Sequence, residues 1–90
     1  MKAMTTAEYT YRVIFEPQEG GGYTAYCPTL PGVVTEGESL EEARAKVIEA
    51  IEGYLEILQE DGRPIPPSDQ VGEAESKVIK EEVVITLPAA

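Results

Sequence analysis

Nucleophilic catalysis needs an activated side chain beside a base, and this sequence of 90 residues has few residues that could act as the base. It contains no histidine, so a serine or cysteine nucleophile would have to use a lysine or a carboxylate as its base, and no such arrangement stands out. The single cysteine, Cys27, has no second cysteine for a disulfide and no histidine for a zinc site. We expect it to be a small core residue.

Acidic side chains are numerous but scattered. Two-metal chemistry needs acids that converge from different elements. Glu8 and Glu16 lie at the two ends of one predicted strand, whereas Glu81 and Glu82 are adjacent and point to opposite faces of another. The sequence therefore predicts no catalytic residue, no metal site and no cofactor, and an enzyme with a novel site is only the last alternative.

Two further signals for ligand binding are weak. The glycine triplet of PQEGGG, residues 17–22, could cradle a phosphate, but it lacks a P-loop lysine and a following helix, so it is interpreted as a hairpin loop. Tyrosines at positions 9, 11, 23 and 26 could stack on bases, yet the basic residues that should flank them are nearly absent. Core and cross-strand packing explains these tyrosines more simply.

The charge of the chain is strongly acidic, with 17 acidic and 7 basic residues and a net charge of -10. Nine of the acids lie between Glu36 and Asp61, where only Arg44 and Lys46 oppose them. Such a surface repels phosphate backbones and steers a basic protein toward itself. The alternative interpretation is a solvated helix face. No apolar run is long enough to cross a bilayer and the N-terminus does not resemble a secretory signal, so a cytoplasmic location is expected.

Periodicity places the elements that would carry these residues. Alternation over residues 9–16 predicts a first strand, and residues 23–27 a second strand that pairs antiparallel with it. Prolines 28 and 31 with Gly32 predict a tight turn before a third strand at residues 33–36. Ser39 and Glu42 then have the spacing of a capping box, which starts a helix.

Apolar residues at intervals of three and four predict one long helix over residues 40–59, ended by Gly62 and Pro64. The stripe that should face the sheet consists of Leu40, Ala43, Val47, Ala50, Ile51, Tyr54 and Leu58. Ile48, Leu55 and Ile57 fall outside it, and we expect them to support self-association into a homodimer or a larger assembly. The sheet edge offers a second route to self-pairing.

Residues 63–76 form a polar, proline-rich connection, and residues 77–87 are rich in β-branched side chains that predict a last strand. The fold class is α+β, with three antiparallel strands, one helix packed on the sheet and a final strand, in a single domain over residues 1–90. Residues 9–62 hold the hairpin, the third strand and the helix. If the last strand lies parallel beside the first, the crossover should be right-handed.

Residues 9–67 resemble the N-terminal domain of HicB-like antitoxins of bacterial and archaeal toxin-antitoxin systems. The resemblance rests on the glycine hairpin before Tyr23, on PTLPGVVTEGESLEEA, and on GYLEIL followed by DGRPIP. It implies a partly degraded ribonuclease H fold, and a protein that binds and blocks a small basic RNA-cleaving toxin of the HicA type. We expect no catalytic activity of its own.

Many members of that family continue into a DNA-binding domain, whereas this sequence ends at TLPAA, so we expect no direct DNA binding. Two hypotheses follow: a toxin-neutralising protein, and a self-associating regulatory or ligand-binding module without a toxin. For the first, the predicted contact surface is a set of acids that recur along one side of the helix. They are Glu49, Glu52, Glu56 and Glu60.

Overall fold

The structure, a computed structural model, describes residues 6–69 and 79–88. Its elements are β1 (Thr6–Pro17), β2 (Tyr23–Tyr26), β3 (Val34–Gly37), α1 (Leu40–Glu60) and β4 (Ile79–Pro88). The four strands form one sheet in the order β3-β2-β1-β4, and α1 packs on one face of it. The predicted α+β fold and its order of elements are confirmed.

The last strand lies beside the first, as considered above, but the two run antiparallel, from Thr6 opposite Pro88 to Phe15 opposite Ile79. A parallel pairing with a right-handed crossover is therefore wrong. After α1 the chain returns to the sheet, and the backbone N–H of Asp69 donates to the carbonyl of Thr10, in the middle of β1, at 2.8 Å. The antiparallel direction is set by the ten-residue pairing between β1 and β4, which the pattern of either strand alone does not determine.

Both ends of α1 are capped by local interactions that the sequence predicted. The Ser39 hydroxyl accepts a hydrogen bond from the Glu42 N–H at 3.0 Å, and the Glu42 carboxylate accepts one from the Glu38 N–H at 2.6 Å. The Glu42 carboxylate thus accepts from the backbone N–H of the residue before the N-cap. These bonds satisfy backbone donors that have no partner inside the helix.

At its other end, α1 is closed by a Schellman motif. Gly62 takes the left-handed conformation, with φ of 68°, and its N–H donates to the Gln59 carbonyl at 3.1 Å. The Arg63 N–H reaches back to the Leu58 carbonyl at 2.8 Å. The expected role of Gly62 as the residue that ends the helix is confirmed.

The core lies between α1 and the inner face of the sheet. Cys27 is only 2% exposed within it, as expected for a small core residue. The other buried apolar residues are Tyr11, Val13, Phe15, Ala25, Leu30, Val33, Ala43, Val47, Ile51, Leu55, Leu58, Val83, Ile85 and Leu87. The side chains of β1 and β4 that alternate with these point to the other face of the sheet, which α1 leaves uncovered.

Leu55 corrects one prediction, because it is 0% exposed and lies in the core instead of on a second surface. It stands four residues after Ile51 and three before Leu58, which is the spacing that keeps residues on one helix face. Tyr54, assigned to the stripe from the sequence, is only half-buried. The buried stripe of α1 is thus rotated slightly from the predicted one.

Candidate functional site

The outward side of α1 carries Glu49, Glu52, Glu56 and Glu60, which we call the acidic strip. All four side chains are exposed. At 3.6 residues per turn, their spacing places them within about 80° of the helix circumference, away from the buried stripe. The structure therefore brings these four predicted residues together on one solvent-facing surface, whereas their role in binding stays a prediction.

Of the two bases in α1, Arg44 is engaged with β4 and Lys46 is exposed. Arg44 donates from Nε to Glu81 Oε1 at 2.7 Å and from Nη2 to Glu81 Oε2 at 2.5 Å, a bidentate pair that joins α1 to β4. The hydrogen bond from Arg44 lowers the pKa of the Glu81 carboxyl and raises the pKa of the guanidinium. Arg44 lies five residues before Glu49 and about 140° away around the helix, so it faces away from the acidic strip. Lys46, exposed and three residues before Glu49, is the base beside the strip.

The three residues predicted to support self-association do not form a common patch. Leu55 is in the core, Ile48 is half-buried against it, and Ile57 is 59% exposed. Ile48 and Ile57 are nine residues apart, or two and a half turns, so they lie on opposite sides of α1. Ile57 is thus available for a contact, next to the acidic strip. Self-association through the three residues together is not supported.

The glycine hairpin borders an open depression between the β1–β2 turn and the start of α1. The side chains that line it include Glu36, Glu38, Glu42 and a single base, Lys46. Three carboxylates around one lysine repel phosphate, which agrees with the interpretation of residues 17–22 as a hairpin loop. Within residues 6–69 and 79–88, no three acidic or cysteine side chains are grouped closely enough to hold a metal ion.

The tyrosines are structural. Tyr11 is fully buried, and Tyr9 and Tyr23 pack partly against the core. The rings of Tyr9 and Tyr11 stack with centroids 6.3 Å apart. On the other face, the Tyr26 hydroxyl donates to Glu16 Oε2 at 3.1 Å, which raises the pKa of Tyr26. Their packing roles, predicted from the sequence, are confirmed.

Residues 63–69, which we call the strap, form a feature that sequence reasoning missed. The Asp69 carboxylate accepts hydrogen bonds from the Arg12 N–H at 2.8 Å and from the Thr29 hydroxyl. The Thr10 N–H donates to the Ser68 hydroxyl at 3.0 Å, and the Tyr11 hydroxyl donates to the Pro66 carbonyl at 2.6 Å. The strap thus covers β1 beyond the end of β2. The only signal of the strap in the sequence was the pair Ser68 and Asp69 after the prolines, because serine and aspartate side chains often form hydrogen bonds with backbone groups.

The surfaces that α1 and the strap leave open suit binding to another protein. The exposed side of α1 is acidic, and the large exposed apolar side chains among the described residues are Val34, Ile57 and Val84. Charged groups of this kind set the rate of encounter, and apolar side chains supply affinity. No helix in the described part of the chain is long and apolar enough to cross a membrane.

Comparisons with known proteins agree with this picture. Residues 11–88 match the family model described as HicB-like antitoxin of bacterial toxin-antitoxin systems. A UPF0150 protein of Synechocystis is 41% identical over 63 residues, which is 70% of this chain and 80% of that protein. The antitoxin HicB of Pseudomonas fluorescens is 36% identical over 89 residues, which is 99% of this chain but only 55% of that protein.

A solved structure has the same fold. It is the N-terminal domain of the Burkholderia pseudomallei antitoxin HicB, which superposes with a TM-score of 0.67 at 21% identity, covering 82% of this chain and 94% of that one. The strand order, the capped helix and the match over residues 11–88 lead to one conclusion. The chain belongs to the HicB-like antitoxin family.

Proposed function

We propose that this chain acts in the cytoplasm by binding a small basic RNA-cleaving toxin of the HicA type and thereby neutralising it. Family membership supports a toxin partner in general. The observation that carries the choice of a basic partner is the acidic strip, whose four exposed carboxylates share their side of α1 with a single exposed base, Lys46. Such a surface attracts a basic protein from a distance.

The proposed binding has two parts. Carboxylates of the acidic strip steer the toxin toward α1 and raise the association rate, an effect that salt weakens. Ile57, 59% exposed beside the strip, then supplies apolar contact that lowers the dissociation rate. The two caps and the buried stripe hold α1 rigid, so little ordering free energy is lost when the toxin binds.

The same charge argues against nucleic acid as the partner. A net charge of -10 opposes phosphate contact over most of the surface, so we expect neither operator binding nor RNA cleavage by this chain. Neutralisation would then be a binding event without catalysis. A gel-shift or anisotropy titration with operator DNA tests this, and tight binding that salt weakens would contradict it.

The decisive experiment measures association with the small basic protein encoded beside this chain and inhibition of its RNA cleavage. Glu52→Lys with Glu56→Lys should slow association at least tenfold and flatten its salt dependence, without a change in circular dichroism. The matched control is Glu8→Lys with Glu19→Lys, also at exposed positions, which makes the same change of net charge from -10 to -6. Equal rates for the two double variants would show that the acidic strip is only a solvated helix face.

The alternative function is a self-associating regulatory or ligand-binding module without a toxin. It is favoured by the exposed valines Val34 and Val84, which lie far from the acidic strip on the two outer strands of the sheet. Absence of a small basic protein from the neighbouring genes would support it over toxin binding.

A further inference from the structure

β4 is a long edge strand whose outer side carries no strand from the described residues. It pairs with β1 over ten residues, and the sheet order places it last. Thr10 and Val84 face each other across that pairing. The Thr10 N–H donates to the Ser68 hydroxyl at 3.0 Å, and its carbonyl accepts from the Asp69 N–H at 2.8 Å. Both Thr10 groups thus point away from β4, so the N–H and carbonyl of Val84 point away from β1, toward the outer edge.

The two halves of this edge differ in charge. The first half carries Lys80, Glu81 and Glu82, the kind of charged residues that keep edge strands from pairing. The second half, residues 83–87, reads VVITL and has no charge. Its β-branched side chains favour strand pairing, and Val84 is 59% exposed. The opposite edge strand, β3, spans only four residues and includes exposed Glu36.

We propose that this uncharged half of β4 is the interface between two copies of the chain, paired antiparallel about a two-fold axis at Val84. In that register Val84 lies opposite its own copy and Glu82 lies opposite Thr86, so no carboxylate faces another. An axis at Glu82 would place two glutamates opposite each other, which is unfavourable. Two copies with a net charge of -10 each repel at most surfaces, and this edge is an exception.

A second copy fits this edge better than a basic toxin does. The uncharged residues 83–87 offer no electrostatic attraction to a cation, whereas the acidic strip on α1 does. The two interfaces should also respond to salt in opposite directions. Salt screens the repulsion between two acidic copies and strengthens their dimer, whereas it weakens the attraction between the acidic strip and a basic partner.

The first test is the mass of the purified chain by analytical ultracentrifugation at high micromolar concentration. The wild type should have twice the monomer mass of 9.8 kDa, with dimerisation that strengthens as salt rises. Val84→Lys places two lysines opposite each other and should weaken dimerisation at least tenfold. Val34→Lys is the matched control, because Val34 is 61% exposed on the other edge strand, and it should leave the dimer intact.

Cross-linking tests the same interface without relying on Val84→Lys, which could disturb folding. Val84→Cys should form a disulfide-linked dimer under mild oxidation, since directly opposite residues have Cα atoms about 5.5 Å apart. Val34→Cys should not do so, and native Cys27, 2% exposed, should stay unreacted. For the register, Glu82→Cys mixed with Thr86→Cys should cross-link, whereas Glu82→Cys alone should not.

Three outcomes would overturn the proposal: a wild type that stays monomeric, equal cross-linking at Val34 and Val84, or protection of Val84→Cys from alkylation only when a basic partner is added. The last would identify the partner as the occupant of the edge. The first two results do not bear on toxin neutralisation through the acidic strip, which the association rates of the glutamate variants test separately, whereas the third would move the partner from the strip to β4.

Discussion

The carboxylate of Asp69 accepts a hydrogen bond from the backbone N–H of Arg12 at 2.8 Å, across 57 residues of sequence. This contact fixes the strap along β1 beyond the end of β2, and the backbone of Asp69 bonds to Thr10 beside it. One side chain therefore anchors the end of the strap both to β1 and to the loop after β2.

Asp69→Ala should lower the free energy of unfolding by about 1–3 kcal/mol, because the Arg12 N–H and the Thr29 hydroxyl lose their acceptor. Asp69→Asn should cost less, since its amide oxygen can still accept one of these bonds. Urea unfolding measures the effect. Asp61→Ala, at an exposed acid near the end of α1, is the control and should change stability by less than about 0.5 kcal/mol. Equal effects at the two positions would mean that the strap contributes no stability.

Stability should fall between about pH 10 and pH 12. Burial, together with nearby Tyr9, Cys27 and Asp69, raises the pKa of Tyr11 to about 12. In the unfolded chain Tyr11 ionises near pH 10, so the unfolded state loses its proton first and folding weakens until the pKa of the folded state is passed. Burial also raises the pKa of Cys27, which adds a loss in the same direction. Denaturant midpoints from pH 8 to 12 measure this.

Tyr11→Phe isolates the contribution of that hydroxyl. It should cost about 1 kcal/mol at neutral pH, through the lost bond to the Pro66 carbonyl, yet it should reduce the fall in stability above pH 10. A variant with the same pH dependence as the wild type would assign the alkaline loss to other groups.

Truncation of apolar residues of α1 should lower stability strongly at buried positions and hardly at all at an exposed one. Leu55→Ala removes a fully buried side chain and should cost about 2–5 kcal/mol, and Ile51→Ala should cost a similar amount. Ile57→Ala, at a position 59% exposed, should stay within about 0.5 kcal/mol. Thermal unfolding measures all three. A Leu55→Ala protein that is as stable as the wild type but forms a smaller assembly in solution would restore the prediction that Leu55 supports self-association.

Two glycine-to-alanine substitutions should change the free energy of unfolding in opposite directions. A Cβ at Gly37 would collide with backbone atoms of Ala43 and Glu42 at the start of α1, so Gly37→Ala should destabilise by about 1–3 kcal/mol. A Cβ at Gly53, inside α1, would meet no atom within 4 Å, so Gly53→Ala should stabilise by about 0.5–1 kcal/mol. Paired urea titrations compare them, and effects of the same sign would contradict the close approach of β3 to α1.

The sequence by itself determined the local elements, because local structure leaves a short-range pattern. Alternation located β1 and β2, and Ser39 with Gly62 marked the ends of α1 almost to the residue. The family resemblance was also confirmed, since its motifs lie in those same turns and caps. The exposure of the acidic strip followed from helical spacing alone.

Only the tertiary structure decided the direction of β4, the path of the strap and the burial of Leu55. Each depends on contacts between residues far apart in sequence, such as Asp69 with Arg12 and Arg44 with Glu81. An amphipathic pattern predicts that a helix has an apolar face. A rotation of the helix by a few tens of degrees decides whether Leu55 or Tyr54 is buried in the core, and packing against the sheet sets that rotation. Strand direction is likewise set by pairing with a strand far away in the sequence, which the periodicity of either strand does not record.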